Sequence, residues 1–433
     1  MEIYVIPFNK QFIIYRPLCS LSFLANEAMV YYIKDKLAGK QIFVNDEVDQ
    51  FLDTIRFWKP DLLPPEPSSS NEYHPTIGVL LMTGDCNMRC TYCYARGGEA
   101  PDLQMTFPLA QIIIDRVCEN AYKTGKKIFS LTFHGGGEPT LNWDVMTDAV
   151  EYAKGQGLPC EVNMSTNGVW TSQQRKFILK HFNNLSISFD GTRAIQDKQR
   201  PLANGESSFD AVMETIRSLD EVNFHYGIRI TTTPDFFESL PESIAFLCEE
   251  TKCRNFQVEP CYSSIRGEYA DPTEEQIQSF IDAFLKAFEI ASNSKCFLYY
   301  SGARPWQITT SFCSAPENGL VVTPQGDIVT CFETCDRRHP LISKFVIGNI
   351  SSSGIEINME KLRKFHNKQQ ERRRLCKGCF CYWHCGGDCA TKCMFSHSQE
   401  RGRCQVNRII TRELLAWKIA KWNRIGNNLD KHN

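Results

Sequence analysis

Three cysteines, Cys86, Cys90 and Cys93, stand at the spacing C-x3-C-x2-C directly after the apolar run 77–82. A short apolar run ending in a polar loop reads as a buried strand, whose loop would project three thiolates toward one point. Three thiolates fill three corners of a cubane iron–sulfur cluster and leave the fourth iron without a protein ligand. A zinc site or a closed structural cluster needs a fourth ligand nearby, and none follows in this loop. The chemistry on offer is therefore a metal centre open to an exogenous ligand.

The chain holds 20 cysteines, and ten of them lie between Cys313 and Cys404. Cys313 and Cys331 flank Gly326, and Cys376, Cys379, Cys385, Cys389 and Cys404 follow; Cys335, Cys381 and Cys393 fall among them. C-x2-C is also the commonest zinc spacing, so a pair of structural zinc sites is the alternative for this region. A second local motif runs from His134 through three glycines to Glu138 and Pro139. Glycines let the backbone approach a ligand closely, and a carboxylate there can accept from an ammonium group. The alternative for that stretch is a glycine-rich turn.

These residues need elements to hold them. Strand patterns at 76–82, 128–133, 161–165, 185–189, 225–231 and 255–259 alternate with helical patterns at 108–123, 143–155, 172–181, 208–219, 240–251 and 274–291. Repeated βα units predict an α/β fold with a parallel sheet covered by helices, and a site beyond the carboxyl ends of its strands. The polar residues collect at those ends: Ser165 and Asn167, Ser188 and Asp190, then Glu259, with Arg200 just downstream. Residues 1–75 stand apart as two short strands, helical stretches at 25–37 and 47–58, and a linker over 60–70 with Pro-Pro and a triple serine. After residue 291 the alternation fades. Val321 to Cys331 reads as a β-hairpin turning at Gly326. The cationic run from Arg363 to Arg374 reads as a solvated helix face, or as a counterweight to thiolate charge.

A formal charge of −2 and a pI near 6.5 argue against nonspecific binding to nucleic acid. No apolar stretch reaches the roughly 18 residues of a membrane span, and the N-terminus lacks the basic start of a signal peptide. A cytoplasmic address with reduced thiols is the expectation.

The cysteine triplet, with Tyr92 just before its third member and the Gly136-Gly137-Glu138 motif one βα unit later, resembles the radical S-adenosylmethionine (radical SAM) superfamily. That resemblance implies a partial (β/α)6 barrel over 76–300 and SAM on the open iron. Its reduced cluster would cleave SAM to methionine and a 5′-deoxyadenosyl radical that abstracts hydrogen. It further implies that Gly136, Gly137 and Glu138 bind the SAM amino group, that Ser165, Asn167, Ser188 and Asp190 reach the ribose and carboxylate, and that Arg200 reaches the carboxylate. The later cysteines resemble the SPASM auxiliary-cluster domain, here 301–410, followed by a C-terminal helix over 411–433. By that resemblance one auxiliary cluster takes Cys376, Cys379, Cys385 and Cys404, and the other takes Cys313, Cys331 and Cys389, giving three [4Fe-4S] clusters in all. Fully ligated relatives carry a further cysteine where this chain has Gly319. Either Cys335 swings in as the fourth ligand or one iron stays open to substrate, and Cys381 and Cys393 are left to substitute for neighbours.

The small α+β region at 1–75 resembles the PqqD-like peptide-recognition domain, with a plain barrel cap as the alternative. The function so implied is maturation of a ribosomally synthesised precursor peptide by a thioether, a carbon–carbon crosslink or an epimer. A one-electron donor such as flavodoxin or ferredoxin would serve it. The rival enzyme reading is anaerobic sulfatase maturation. Relatives of that type place an acidic residue directly after the cysteine matching Cys331, whereas this chain has Phe332 and then Glu333, the candidate catalytic carboxylate. The non-enzymatic rival is an iron–sulfur adaptor.

Overall fold

The structure is a computed structural model describing residues 1–41, 43–66, 72–263, 265–352, 354–394 and 402–429. The triple serine of the expected linker lies outside the described residues. Strands β1 (Tyr4–Phe8), β2 (Gln11–Arg16) and β3 (Leu21–Ala25) form an antiparallel meander, followed by α1 (Glu27–Leu37) and α2 (Asp46–Thr54). The third strand is additional to the two read from sequence, because Leu21–Ala25 runs straight into a helix without an intervening turn signal. Asn26 and Asn45 accept from Met29 N and Val48 N and so start the two helices. The meander is buried on both faces. Ile14 and Phe23 pack with Val30, Ile33, Leu52 and Phe57, while Ile6, Ile13 and Tyr15 pack on Leu415 and Ile419 near the C-terminus. Alternation along β2 separates these two cores, as a two-residue period requires.

The barrel begins with β4 (Ile77–Leu81), then β5 (Thr83–Gly84) and β6 (Ala100–Gln104), which pair with each other and frame the cysteine loop. There follow α3 (Phe107–Lys123), β7 (Phe129–His134), α4 (Trp143–Lys154), β8 (Cys160–Thr166), α5 (Ser172–His181), β9 (Asn184–Ser188), α6 (Arg193–Gln199), α7 (Phe209–Glu221), β10 (Tyr226–Thr232), α8 (Leu240–Glu250), β11 (Asn255–Pro260), α9 (Glu274–Asn293) and β12 (Phe297–Tyr299). Strand β4 and strands β7 to β12 are parallel, so a short further strand joins the six read from sequence. Reciprocal capping boxes, Thr171 with Gln174 and Thr273 with Gln276, start α5 and α9.

The cysteine-rich part carries α10 (Ala315–Asn318), β13 (Gly319–Val322), β14 (Asp327–Val329), α11 (Ile342–Phe345), β15 (Val346–Ser351), β16 (Gly354–Ile357), α12 (Met359–Leu375), α13 (Tyr382–Cys385) and α14 (Gly402–Leu429). Strand β13 pairs in parallel with β4, and β14, β15 and β16 continue antiparallel, so one 11-stranded sheet runs through both regions. This explains why β4 is apolar on every residue after its first two. Leu80 faces the barrel core, while Val79 and Leu81 face Val321, Val329 and Ala315 of the cysteine-rich part. No helix among the described residues is long and apolar enough to cross a membrane.

Candidate active site and metal centres

The cysteine loop is zipped to the glycine motif by backbone bonds from Gly137 N to Thr83 O at 2.7 Å and from Glu138 N to Asp85 O at 2.8 Å. A Cβ on Gly137 would overlap the Asp85 carbonyl oxygen, so only glycine permits this approach. Cys86, Cys90 and Cys93 thereby line one cavity of about 540 Å³, within the range of ordinary ligand sites. Gly136, Gly137, Glu138, Ser165, Asn167, Ser188 and Arg200 line the same cavity. Backbone N–H groups already aim at two of the sulfurs, Met88 N at 3.5 Å from Cys86 Sγ and Gly97 N at 3.4 Å from Cys93 Sγ. Burial pushes the Cys86 thiol up to about 12 and the Cys90 thiol up to about 11, so metal must displace their protons. The thiols line a space with amides turned toward them, which suits a multi-atom cluster.

Two of the sequence-selected carboxylates spend their oxygens on the frame around the cavity. Glu138 is 2 % exposed and ties the ends of β7 and β8 together. Its Oε1 accepts from Thr140 Oγ1 at 2.9 Å and Thr166 Oγ1 at 2.7 Å, and its Oε2 from Asn167 N at 2.8 Å. Burial raises its pKa while these donors oppose the rise. Asp190 does not line the cavity at all. Its oxygens accept from Tyr92 Oη at 2.7 Å, Gln199 Nε2 at 3.0 Å and Thr231 N at 3.0 Å, which turn it under the floor. Tyr92 in turn accepts from Arg200 Nη1 at 2.6 Å, so Arg200 meets the cavity from a fixed position. Asn167 Nδ2 bonds Asn87 Oδ1 at 2.7 Å, next to Cys86.

The opposite wall comes from the cysteine-rich part through Glu333, His339, Thr391 and Lys392. Burial works to raise the Glu333 pKa, but Lys392 at 3.5 Å and the Thr391 hydroxyl at 3.0 Å outweigh it and hold the carboxyl below its usual value. Sequence reading missed Arg229, Cys261, Tyr262, His134 and Lys392, all cavity-lining. For Arg229 a signal existed: an exposed arginine between buried Ile228 and Ile230 on a parallel strand must face a lumen. His134 stacks on Phe332 with centroids 5.0 Å apart, and burial, then Arg229, pulls its pKa down to about 4.

The later cysteines fall into two sets. Cys376, Cys379, Cys385 and Cys404 lie near one another, with Cys381 hydrogen-bonded to Cys379, and Cys313, Cys331 and Cys389 form a second group. The two sets meet in the loop from Cys385 to Cys389, where Gly386 has φ +61° and passes so close to Ser311 that a Cβ would overlap it. Cys335 stays out of either set. Its thiol donates toward Phe332 O at 3.1 Å and Gly135 O at 3.4 Å, against the glycine motif. Cys393 donates to Asp388 Oδ2 at 3.3 Å, and Cys381 toward Asn407 O at 3.8 Å. The cationic run is only partly solvated, since Arg372 and Arg373 are each buried to 5 % exposure.

A parallel sheet with an open-cornered thiolate triplet at its strand ends defines a class of cluster-binding enzyme folds, and comparisons agree with it. Residues 80–247 match the Radical SAM superfamily and residues 313–380 the SPASM iron–sulfur cluster-binding domain. The chain therefore carries a Radical SAM domain and a SPASM domain. It is 26% identical over 183 residues to the Fe-coproporphyrin III synthase of Methanosarcina barkeri, covering 42% of this chain and 43% of that protein. It is also 26% identical over 198 residues to the cysteine-type anaerobic sulfatase-maturating enzyme of Clostridium novyi, covering 44% and 51%. The chain thus spans about half the length of the curated relatives it matches. Among solved structures, native anSMEcpe with bound AdoMet and the Cp18Cys peptide superposes with TM-score 0.60 at 18% identity, over 82% of this chain and 99% of that one, which establishes the fold.

Proposed function

We propose that this chain is a maturase that modifies a ribosomally made peptide or protein by SAM-dependent hydrogen abstraction. The observation carrying this reading is a cavity shared by two regions: Cys86, Cys90, Cys93 and the glycine motif on one wall, Glu333, Thr391 and Lys392 on the other. Cys86, Cys90 and Cys93 would hold the first [4Fe-4S] cluster, and the two later cysteine sets the auxiliary ones. Bound with SAM and reduced by a carrier such as flavodoxin or ferredoxin, the first cluster would supply a 5′-deoxyadenosyl radical. The chain's own part is positioning and exclusion of water from a reactive species. Gly136 and Gly137 offer backbone at the cavity wall, Ser165, Asn167 and Ser188 offer short polar groups, and Arg200 offers a guanidinium braced by Tyr92. Glu333, whose pKa Lys392 and Thr391 lower, would accept a proton from substrate. The products that fit are a thioether, a carbon–carbon crosslink or an epimer. Cys335's turn away from the Cys313 set supports an open iron there for a substrate thiolate.

A second reading, formylglycine formation in a sulfatase, is favoured by one observation, the ionised Glu333 two residues from Cys331 in the cavity. Anaerobic reconstitution tests both. We expect about 12 irons per chain, about two-thirds of that in a Cys86/Cys90/Cys93 triple alanine variant, and reductant-dependent 5′-deoxyadenosine in the parent alone. Two equivalents of zinc with four irons would overturn the auxiliary clusters, and absent 5′-deoxyadenosine would leave the adaptor. A sulfatase peptide converted to the aldehyde decides for the second reading.

A further inference from the structure

Three cations line the cavity, and two of them are engaged. Arg200 donates to Tyr92 Oη at 2.6 Å, and Lys392 lies 3.5 Å from the Glu333 carboxylate. Arg229 is the third. It sits inside a parallel strand between buried Ile228 and Ile230, yet it is exposed to the cavity. Among the described residues its guanidinium makes no hydrogen bond and no ion pair within 4.0 Å. Its cross-strand neighbours give the reason. Arg229 pairs with Ser188 of β9 and Gln257 of β11, and neither carries a charge. Gln257 is already occupied: its Oε1 accepts from Tyr299 Oη at 3.0 Å, and its Nε2 donates to Glu259 Oε1 at 2.9 Å and Ser301 Oγ at 3.0 Å.

Three carboxylates share the cavity with Arg229 and none of them closes on it. Glu259 stands diagonally across the strands, opposite Thr231, and its Oε1 also accepts from Ser301 Oγ. Glu333 lies near Arg229, but Lys392 and the Thr391 hydroxyl lower its pKa more than Arg229 does. Glu268 lines the cavity from the loop after β11. These acids moderate the field at Arg229. A guanidinium, however, holds a carboxylate through two parallel bonds of about 2.8 Å, and that fork is open here. Tyr94 adds a hydroxyl. It lines the same cavity near Arg229, is 38% exposed, and meets no hydrogen-bond partner among the described residues. The charge of Arg229 is felt at His134, Tyr299 and Glu333, whereas the cations felt at Cys90 are Arg200 and Arg266. The cysteine end of the cavity thus has a guanidinium of its own, and Arg229 is left for substrate.

We propose that Arg229 and Tyr94 form a receptor for a carboxylate of the substrate peptide, supplied by an aspartate or glutamate side chain or by the chain terminus. This rests on the maturase reading, which reductant-dependent 5′-deoxyadenosine tests separately. The full chain, reconstituted with iron and sulfide and kept unreduced, is dialysed to equilibrium against three probes, with and without SAM. The probes are acetyl-Ala-Glu-Ala-amide, its isosteric glutamine counterpart, and acetyl-trialanine, whose one carboxylate is the terminus. The glutamate peptide, for a side-chain ligand, or acetyl-trialanine, for a terminal one, should bind about tenfold tighter than the glutamine peptide, because charge assistance strengthens the pair. Arg229→Gln should bring that ratio to about one. Arg229→Lys should keep part of it, since lysine carries the charge without the fork. Tyr94→Phe should lower it about threefold. The readout is a ratio between two peptides on one protein, so weaker SAM or iron binding in a variant does not imitate it. A ratio of about one in the parent overturns the proposal, as does one that Arg229→Gln leaves unchanged. A preference present without SAM and absent with it gives the fork to the SAM carboxylate and overturns the proposal too. Should Arg229→Gln fail to fold, the parent's ratio and the Arg229→Lys and Tyr94→Phe variants decide. A parent that forms 5′-deoxyadenosine with a ratio of one loses the receptor and keeps the maturase reading; a preference without 5′-deoxyadenosine does the reverse.

Discussion

Replacing Glu138 by alanine separates a ligand contact from a structural tie. As a direct acceptor for the SAM amino group, Glu138 would matter only when SAM is bound. The geometry argues that it matters without SAM, because a buried carboxylate holds Thr140, Thr166 and Asn167 together at the ends of β7 and β8. Removing it leaves the Asn167 N–H orphaned, a loss of about 1–3 kcal/mol, while the two hydroxyls can turn to other acceptors at smaller cost. Loss of the buried methylenes brings the total to about 3 kcal/mol. Urea unfolding of the metal-free chain should show this, read by tryptophan fluorescence, since Trp170 Nε1 donates to Thr166 Oγ1 at 3.1 Å and reports on that junction. SAM affinity of the reconstituted variant should also fall, because Asn167 loses its anchor beside Cys86. Unchanged stability with weakened SAM binding would refute the tie and return Glu138 to the role of ligand.

Cys335→Ala should leave iron content intact, since its thiol faces Gly135 O; release of iron from an auxiliary cluster would show that it is a ligand after all. Deleting residues 1–75 uncovers Leu415 and Ile419, so Leu415→Ser and Ile419→Ser should accompany it. Processing of a full-length precursor should then vanish while 5′-deoxyadenosine formation without substrate persists, and equal processing would make this region a barrel cap. Burial holds His134 at about 4 and His384 at about 3, below the ordinary 6.5, so both are neutral in the folded chain at pH 7 and the unfolded chain takes up their protons first. Their contribution to stability should be complete above pH 6.5 and fade toward pH 4 and then 3. An unfolding midpoint that is flat across that window in the parent, or one that falls as steeply once His384 is replaced by glutamine, would contradict this.

What could be read from the sequence was chemistry confined to one loop or one period. Cys86, Cys90 and Cys93 sit within one turn region, so their joint purpose shows in the spacing alone. The βα alternation shows because the hydrophobic period changes from 2 to 3.6 at each junction. Asp190 shows the limit. A carboxylate at a strand end looks like a ligand, yet its direction is decided by Tyr92 from one loop and Gln199 from α6, which no local pattern links.

The arginines of α12 fail to read for a different reason. Cation runs on helices are solvated in most chains, and nothing in Arg372-Arg373-Arg374 distinguishes the two that turn inward from the one that does not. The distinction comes from what the helix ends against. Arg372 turns its Nη2 to within 4.0 Å of Cys404 Sγ, and Arg373 lies over the rings of Tyr382 and Trp383, contacts that a sequence pattern on one helix does not reveal. The same logic joins the two regions of the chain. Strand β13 continues the barrel sheet beside β4, so the wall carrying Glu333 and Lys392 is fixed relative to Cys86, Cys90 and Cys93 by strand pairing, not by a linker. The two cysteine-bearing regions that wall the cavity therefore share one continuous sheet.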